Sequence, residues 1–232
     1  MEAIVLAGGL GTRLRSVIPD LPKPMAPVAG RPFLAWILDR LADAGFRRVV
    51  LAVGYRHETI RDFFGLSYRG VELAYSVEDA PLGTGGAIRL ALGHVDESPV
   101  FVLNGDTYLE ADYAAMLAAH VTHGVELTVA VARVADVSRY GSLEIKDDRI
   151  CGFLEKGSQG PGYINAGVYL MARGLVETIP VGTGHSFENE LLMPRVAELR
   201  PLAFRADGLF IDIGVPEDYE RAQGLFGKSA GA

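Results

Sequence analysis

A glycine-rich segment near the start of the chain is followed by two cationic side chains. The segment Leu6–Leu14 reads LAGGLGTRL, so Arg13 ends a run of glycines, and Lys23 follows after a short loop between Pro22 and Pro24. Glycines let backbone N–H groups approach an anion closely, and neighbouring cations suit a polyphosphate. A purely structural turn after the first strand is the alternative interpretation.

Two aspartates stand where apolar strand-like runs end. Asp106 follows Asn104-Gly105, and Asp212 comes just before the helix that Pro216 begins. The carboxyl ends of strands are where open α/β sheets bind ligands, and Mg²⁺ typically takes one or two carboxylates plus substrate phosphates. A hairpin turn at Asn104-Gly105 and a helix-entry role for Asp212 are the structural alternatives. The residues alone do not bring the two aspartates together.

The elements that must position these residues alternate between strand and helix. Short β-branched runs predict strands at Ala3–Leu6, Arg48–Val53 and Pro99–Leu103. Helical spacing predicts helices from Pro32 to before Gly45, and at His57–Phe64, Gly85–Leu92, Asp112–His123 and Pro216–Leu225. This alternation indicates a parallel sheet that is covered on both faces.

The middle of the chain has a different pattern. Four strand-like runs lack long helices between them: Leu127–Ala132, Ser142–Ile145, Ile150–Leu154 and Ile164–Leu170. The polar turn 146–149 joins the second run to the third. We therefore expect a single domain over 1–232, ordered from about 2 to 225. Its fold should be three-layer, Rossmann-like α/β with a mostly parallel mixed sheet, and these four runs should form a small antiparallel extension.

Composition excludes several classes of protein. Hydrophobic residues make up 49% of the chain and charged residues 22%, which is ordinary for a globular protein. The net charge of −7 argues against a duplex-binding or membrane-surface protein. The chain has one cysteine, no basic signal-peptide region at its start and no apolar run of membrane-spanning length, so we expect a cytoplasmic location.

Six short motifs, taken together with the first loop and Pro22-Lys23-Pro24-Met25, resemble the sugar-1-phosphate nucleotidyltransferases, also called nucleoside-diphosphate-sugar pyrophosphorylases. Each motif is weak alone, but all occur in the family's order over about residues 2–225. The six motifs are Leu82-Gly83-Thr84-Gly85-Gly86, Asn104-Gly105-Asp106, Arg139-Tyr140-Gly141, Glu155-Lys156, Asn165-Ala166-Gly167 and Asp212-Ile213-Gly214.

The resemblance implies roles for particular residues. Arg13, Lys23 and Asp106 would be catalytic, and Asp106 and Asp212 would hold Mg²⁺. The nucleotide would be bound by Leu6, Ala7, Gly8, Gly9, Gly11, Thr12, Arg13, Lys23, Glu78, Gly83, Thr84, Asn104 and Asp106. The sugar phosphate would be bound by Tyr140, Gly141, Glu155, Lys156, Asn165 and Asp212. Surface or packing roles are the alternatives for Glu78, Tyr140 and Glu155-Lys156.

The implied reaction joins a nucleoside triphosphate to a sugar 1-phosphate and releases pyrophosphate. Within the family the chain looks most like the guanylyltransferases that act on heptose or mannose 1-phosphates and supply precursors of capsule or surface polysaccharides. Glu78 fits guanine, because guanine presents N1–H and N2–H₂ donors and a carboxylate accepts. A uridylyl-, thymidylyl- or cytidylyltransferase and a non-catalytic nucleotide-sugar-binding subunit are the alternatives. The family also implies a homodimer, with no nucleic-acid or membrane partner.

Overall fold

The computed structural model describes residues 1–9, 11, 14, 18, 21–154 and 159–229. Within these residues the strands of a ten-stranded mixed sheet are β1 (Glu2–Leu6), β4 (Arg48–Val53), β5 (Ser67–Tyr68), β6 (Val71–Val77), β7 (Val100–Asn104), β9 (Leu127–Val134), β10 (Ser142–Lys146), β11 (Arg149–Leu154), β12 (Gly162–Met171) and β13 (Leu202–Ala206). Two short ribbons accompany the sheet: β2 (Pro27–Val28) pairs with β3 (Arg31–Pro32), and β8 (Thr107–Leu109) pairs with β14 (Phe210–Asp212).

The helices are α1 (Phe33–Asp43), α2 (His57–Phe64), α3 (Gly83–Ala91), α4 (Tyr113–His123), α5 (Gly174–Glu177), α6 (Val196–Leu199) and α7 (Pro216–Ser229). Short 3₁₀ turns lie at Lys23–Met25 and Leu92–His94, and a helical turn of π type lies at Phe187–Leu192.

The sheet has the strand order β10-β11-β13-β9-β12-β7-β1-β4-β6-β5. Strands β7, β1, β4 and β6 are mutually parallel, and β9 is parallel to β13. Strand β12 runs antiparallel to both of its neighbours, β7 and β9, and so joins the two parallel groups. The carboxyl ends of the parallel strands therefore meet at one edge of the sheet.

Apolar side chains on both faces of the sheet pack against helices. In β1, Ala3 and Val5 join the core formed with α1, α2, α4 and α7, whereas Ile4 joins the core formed with α3, α5 and the π-type turn. This explains why the central strands are continuous apolar runs rather than alternating ones. The arrangement has three layers: helix, sheet, helix.

The predicted helices and the three parallel strands are confirmed, with small shifts at their ends. Helix α2 has the predicted bounds, and Asp112 precedes α4 as its N-cap, accepting a hydrogen bond from Ala115 N at 2.9 Å. Helix α3 begins two residues earlier than predicted, at Gly83, and α7 extends to Ser229.

The predicted antiparallel extension needs a correction. All four runs belong to the ten-stranded sheet, because β12 pairs with β7 and β9 and the hairpin β10–β11 forms one end of the strand order. The hairpin is antiparallel as predicted, and its turn residues Asp147 and Asp148 have φ of 50° and 58°. A two-residue turn with positive φ at both positions matches the twist of the flanking strands.

The sequence analysis did not identify β6, β13 or the β8–β14 ribbon. The ribbon matters most for the site, because it sets Asp212 opposite Thr107. In the part of the chain that is described, no helix is long and apolar enough to span a membrane.

The ends of β1 and β7 come into direct backbone contact at Gly105. Gly105 N donates to Leu6 O at 2.9 Å, and a Cβ at Gly105 would lie 2.6 Å from that same oxygen. Any side chain here would push apart the two strands that carry the predicted nucleotide-binding residues.

We expect Gly105→Ala to lower the free energy of unfolding by about 2 kcal/mol, because overpacking of a close contact typically costs 1–3 kcal/mol. Chemical denaturation measures this. Gly93→Ala is the matched control, since a Cβ at Gly93 meets nothing within 4 Å. Equal stability of the two variants would contradict the inferred backbone contact.

Candidate functional site

A cavity of about 290 Å³ opens at the carboxyl ends of the parallel strands. Leu6, Ala52 and Asn104 come from β1, β4 and β7, and the remaining wall comes from the first glycine loop and the start of α3. This is where open α/β sheets place their ligands. The lining residues are Leu6, Gly8, Gly9, Ala52, Glu78, Pro81, Gly83, Thr84, Ala87, Asn104 and Asp106.

The structure brings together eight of the residues that were predicted to bind the nucleotide. Ala7 is buried beside them, and its N–H donates to Ala52 O at 2.7 Å. Gly11 packs against Lys23, because a Cβ at Gly11 would lie 2.9 Å from the Cβ of Lys23. The predictions for Thr12 and Arg13 lie outside the described residues.

Glu78 closes one side of the cavity. Its Oε2 accepts a hydrogen bond from Leu82 N at 2.9 Å, and a Cβ at Gly8 would lie 2.7 Å from its Oε1. Burial raises the pKa of the Glu78 carboxyl, and the hydrogen bond from Leu82 opposes this change. The carboxylate is therefore held in place against the glycine loop with acceptor capacity left for a ligand.

A cluster of one cation and two carboxylates lies beside the cavity. Lys23 Nζ donates to Asp106 Oδ2 at 2.5 Å, and the lysine side chain is only 10% exposed. Ile213 N donates to Asp106 O at 3.0 Å, and β14 pairs with β8, so the backbone holds Asp212 next to Asp106. Asp212 Oδ1 accepts from Gly214 N at 2.5 Å.

The charges of the cluster act on Asp212. Burial and the charge of Asp106 raise the pKa of Asp212 to about 6, although Lys23 opposes the change. A pair of partly desolvated carboxylates matches the oxygen ligands that Mg²⁺ prefers, and substrate phosphates would complete the coordination. Among the described residues no group of three or more His, Cys, Asp or Glu side chains could hold a metal ion.

The glycines at the start of α3 pack against another segment of the chain. His185 O accepts hydrogen bonds from Gly85 N at 2.8 Å and Gly86 N at 3.2 Å. Gly83 has a φ of +66°, and a Cβ there would lie 2.8 Å from the same carbonyl oxygen. The lack of side chains at these glycines therefore lets the backbone of His185 lie close to the start of α3. Gly83 and Thr84 also line the cavity.

The residues predicted to bind the sugar phosphate are less closely grouped. Tyr140 lines another cavity, of about 600 Å³, and its ring packs on Phe210 at 5.9 Å. Burial raises the pKa of the Tyr140 phenol, and the charges of Asp218 and Asp212 add to the effect. Gly141 immediately precedes β10. The predictions for Glu155 and Lys156 lie outside the described residues.

Asn165 lies in a hydrogen-bonded network that includes two residues the sequence analysis missed. Asn165 Nδ2 donates to the hydroxyl of Tyr169 at 2.7 Å and to Glu188 Oε1 at 3.2 Å, and the Tyr169 hydroxyl donates to Glu188 Oε1 at 2.5 Å. Glu188 lies two residues after the N-cap Ser186, whose hydroxyl accepts from Asn189 N while Glu190 accepts from Ser186 N. Nothing local distinguishes Glu188 from Glu190, since only the fold brings one of them to Asn165.

Comparisons with known proteins identify the family of this chain. Residues 2–228 match the family model described as "Nucleotidyl transferase", and the chain belongs to this family. The D-glycero-alpha-D-manno-heptose 1-phosphate guanylyltransferase of Aneurinibacillus thermoaerophilus is 42% identical over 96% of this chain and 97% of its own. The enzyme of the same name from Campylobacter jejuni is 40% identical over 94% of this chain and 97% of its own.

A solved structure is similar over nearly the whole chain. The crystal structure of HddC from Yersinia pseudotuberculosis complexed with GMP-PN has a TM-score of 0.87 and 39% sequence identity. The match covers 97% of this chain and 99% of that one. The large mixed sheet is therefore a nucleotidyltransferase sheet.

The raised pKa of Asp212 predicts how stability depends on pH when divalent cations are absent. Because the folded pKa of about 6 exceeds the ordinary 3.8, the folded protein binds this proton more tightly than the unfolded chain does. The associated stability is present below about pH 4 and is lost as the pH rises through 6. Denaturation with a chelator should show this fall in the wild type, and Asp212→Asn should show a smaller one.

Asp207→Asn is the control, because Asp207 is exposed and lies in the same part of the chain. A fall of equal size in Asp212→Asn would contradict the assignment. Added Mg²⁺ should raise the melting temperature of the wild type at pH 7.5 more than that of Asp212→Asn, because a ligand stabilises the state that binds it.

Proposed function

We propose that this protein transfers a guanylyl group from GTP to D-glycero-α-D-manno-heptose 1-phosphate, forming GDP-heptose and pyrophosphate. The two relatives of that name, which match nearly end to end, support the choice of substrates. The observation that carries the proposal is the strand-end cavity with Glu78 on one side and the Lys23–Asp106–Asp212 cluster beside it. We further propose that the chain acts as one domain in the synthesis of surface or capsule polysaccharides.

The proposed reaction needs positioning and charge neutralisation more than proton transfer. An oxygen of the sugar phosphate forms a bond to the α-phosphorus of GTP. The bond between this phosphorus and the oxygen that bridges to the β-phosphate breaks, and pyrophosphate leaves. A phosphate monoester is ionised at neutral pH, so the attacking oxygen needs no general base. This agrees with a site built from a lysine, two aspartates and a glycine loop.

The residues of this chain have separate parts in the proposal. Lys23 would contact phosphate oxygens. Its backbone lies between two prolines, and its side chain is mostly removed from water. Asp106 and Asp212 would hold Mg²⁺, which when bound supplies positive charge against the nucleotide phosphates. Arg13 would stabilise the departing pyrophosphate, and Lys156 would contact the sugar phosphate.

The sugar phosphate would bind on the other side of the Asp106–Asp212 pair from the base. Asn165 supports this placement because it lies two residues before Gly167, which is close to the cavity. A Cβ at Gly167 would lie 2.7 Å from Nδ2 of Asn104, and Asn104 lines the cavity. Tyr140, Gly141 and Glu155 complete the proposed sugar site. Tyr140 has the weakest support, because it lines a different cavity from the nucleotide residues.

A release assay for pyrophosphate tests the proposal directly. The purified protein is supplied with each of GTP, ATP, UTP, CTP and dTTP, in combination with heptose, mannose and glucose 1-phosphates. We expect the highest kcat/KM for GTP with the heptose substrate. Preference for mannose 1-phosphate or for a pyrimidine nucleotide would replace the substrate assignment, and no release with any pair would favour a nucleotide-sugar-binding protein.

Asp106→Asn should lower kcat at least ~10²-fold, equivalent to about 2.7 kcal/mol of transition-state stabilisation, because it removes a charge from the proposed metal site. The melting temperature should change little, since the amide retains the size of the carboxyl. Asp62→Asn, at an exposed position on α2, is the matched control. Near-normal turnover of Asp106→Asn in saturating Mg²⁺ would refute the metal-binding role.

Glu78→Gln should lower kcat/KM for GTP more than it lowers kcat/KM for the other nucleotides. Guanine offers N1–H and N2–H₂ to a carboxylate, whereas uracil and thymine offer one donor, and a site left with unpaired buried groups discriminates strongly. The measurement is kcat/KM with GTP, ATP, UTP and dTTP for wild type and variant. An unchanged ranking in the variant would remove Glu78 from base recognition.

A further inference from the structure

The network around Asn165 has hydrogen-bond acceptors left over. Asn165 Nδ2 donates toward the Tyr169 hydroxyl and Glu188 Oε1, two acceptors that lie 2.5 Å apart. Asn165 Oδ1 accepts from Gly167 N at 3.0 Å, which leaves one of its two lone pairs open. No donor of the described residues forms a hydrogen bond with Glu188 Oε2.

Glu188 is held in a fixed position by buried neighbours. Tyr169 is 1% exposed, and its ring packs edge-on against buried Phe187 at 5.2 Å. Burial and the charge of Glu188 raise the pKa of the Tyr169 phenol well above its ordinary value, so the hydroxyl remains a donor. A donor hydrogen bond to a charged carboxylate is among the stronger kinds, and it leaves the second oxygen in a defined direction.

This carboxylate lies close to the proposed reaction centre. Asn165 and Tyr169 lie on either side of Gly167 in β12, and a Cβ at Gly167 would lie 2.7 Å from Nδ2 of Asn104, which lines the nucleotide cavity. Phe187 N donates to Thr84 Oγ1 at 2.9 Å, and Thr84 lines the nucleotide cavity. Glu188 therefore stands between the nucleotide cavity and Asn165, on the side where the sugar phosphate is proposed to bind.

Glu188 Oε2 and the free lone pair of Asn165 Oδ1 are both acceptors, and this chemistry selects the ligand. A sugar ring presents hydroxyl donors, whereas a phosphate at neutral pH presents acceptors and would be repelled by a carboxylate. Two neighbouring acceptors, one charged and one neutral, match one or two hydroxyl groups. A purely structural role for Glu188 would use Oε1 only and would leave Oε2 without a function.

We propose that Glu188 is a specificity-determining residue that accepts a hydrogen bond from a hydroxyl group of the sugar 1-phosphate, with Tyr169 and Asn165 positioning its carboxylate. The proposal rests on the function proposed above and deepens it, since it names a residue that reads the sugar. It predicts that the site prefers sugars with a hydroxyl at one ring or side-chain position over the corresponding deoxy sugars.

Steady-state kinetics of Glu188→Ala and Glu188→Gln test this. We expect the KM for the sugar 1-phosphate to rise at least ~10-fold in Glu188→Ala, with the KM for the nucleotide changed less than ~2-fold, because only the sugar loses a partner. Glu188→Gln keeps an oxygen for the Tyr169 hydroxyl and removes the charge. The KM of this variant for the sugar 1-phosphate, which should also rise, tests the proposal if the alanine variant does not fold. Tyr169→Phe should give a smaller rise, since Asn165 still contacts Glu188.

A matched control and a set of substrate analogues separate direct contact from a structural effect. Glu190→Gln removes a carboxylate from the same helical turn and keeps an oxygen for Ser186 N, so its KM for the sugar 1-phosphate should equal that of the wild type. Among monodeoxy analogues, one should be a poor substrate for the wild type, and Glu188→Ala should use that analogue and the full substrate equally well.

The outcomes distinguish this inference from the function on which it rests. An active wild type whose Glu188 variants keep its KM for the sugar 1-phosphate and its discrimination against every deoxy analogue would overturn the inference alone. An equal rise in the KM of Glu190→Gln for the sugar 1-phosphate would also overturn it, because the loss of any negative charge from this segment would then explain the effect. A wild type that releases no pyrophosphate with any substrate pair would overturn both.

Discussion

Backbone pairing places Asp106 and Asp212 side by side, and the ammonium group of Lys23 forms an ion pair with Asp106. The two aspartates are held there because β14 pairs with β8 and Ile213 N donates to Asp106 O. The result is a raised pKa at Asp212 even with Lys23 present. Burying like charges without full compensation is unfavourable, so the folded protein gains stability from any ligand that adds positive charge there.

Much of the surrounding structure holds this cluster in place. Gly105 lets β7 end directly against Leu6, which puts Asp106 at the mouth of the cavity. The prolines beside Lys23 limit how far its ammonium can move, and the lysine joins parts of the chain 83 residues apart. The sheet thus supplies a rigid edge, and the charged groups lie where its strands end.

The segment that follows α5 connects the two halves of the proposed site. His185 O is bonded to the start of α3, Phe187 N is bonded to Thr84, and Glu188 is bonded to Tyr169 in β12. One short stretch therefore touches both the nucleotide cavity and the proposed sugar side. Displacement of this segment would disturb both together.

Local pattern predicted the elements well where burial and spacing agree. Helix α2 and strand β4 have the predicted bounds, because apolar spacing and turn residues mark both ends. The position of β12 between β7 and β9 was not predictable, since a β-branched run does not say which strand it will pair with. The four middle runs were therefore grouped as an extension, although all four lie in the ten-stranded sheet.

The sequence by itself determined which residues could do chemistry. It identified the glycine loop, Lys23, Asp106 and Asp212, because their types and their positions near apolar runs are local properties, and the family resemblance added Glu78. Only the tertiary structure decided that Asp212 lies beside Asp106 and that Glu188, rather than Glu190, reaches Tyr169. The physical reason is that local preferences act over a few residues, whereas strand pairing and burial bring together residues that are far apart in the chain.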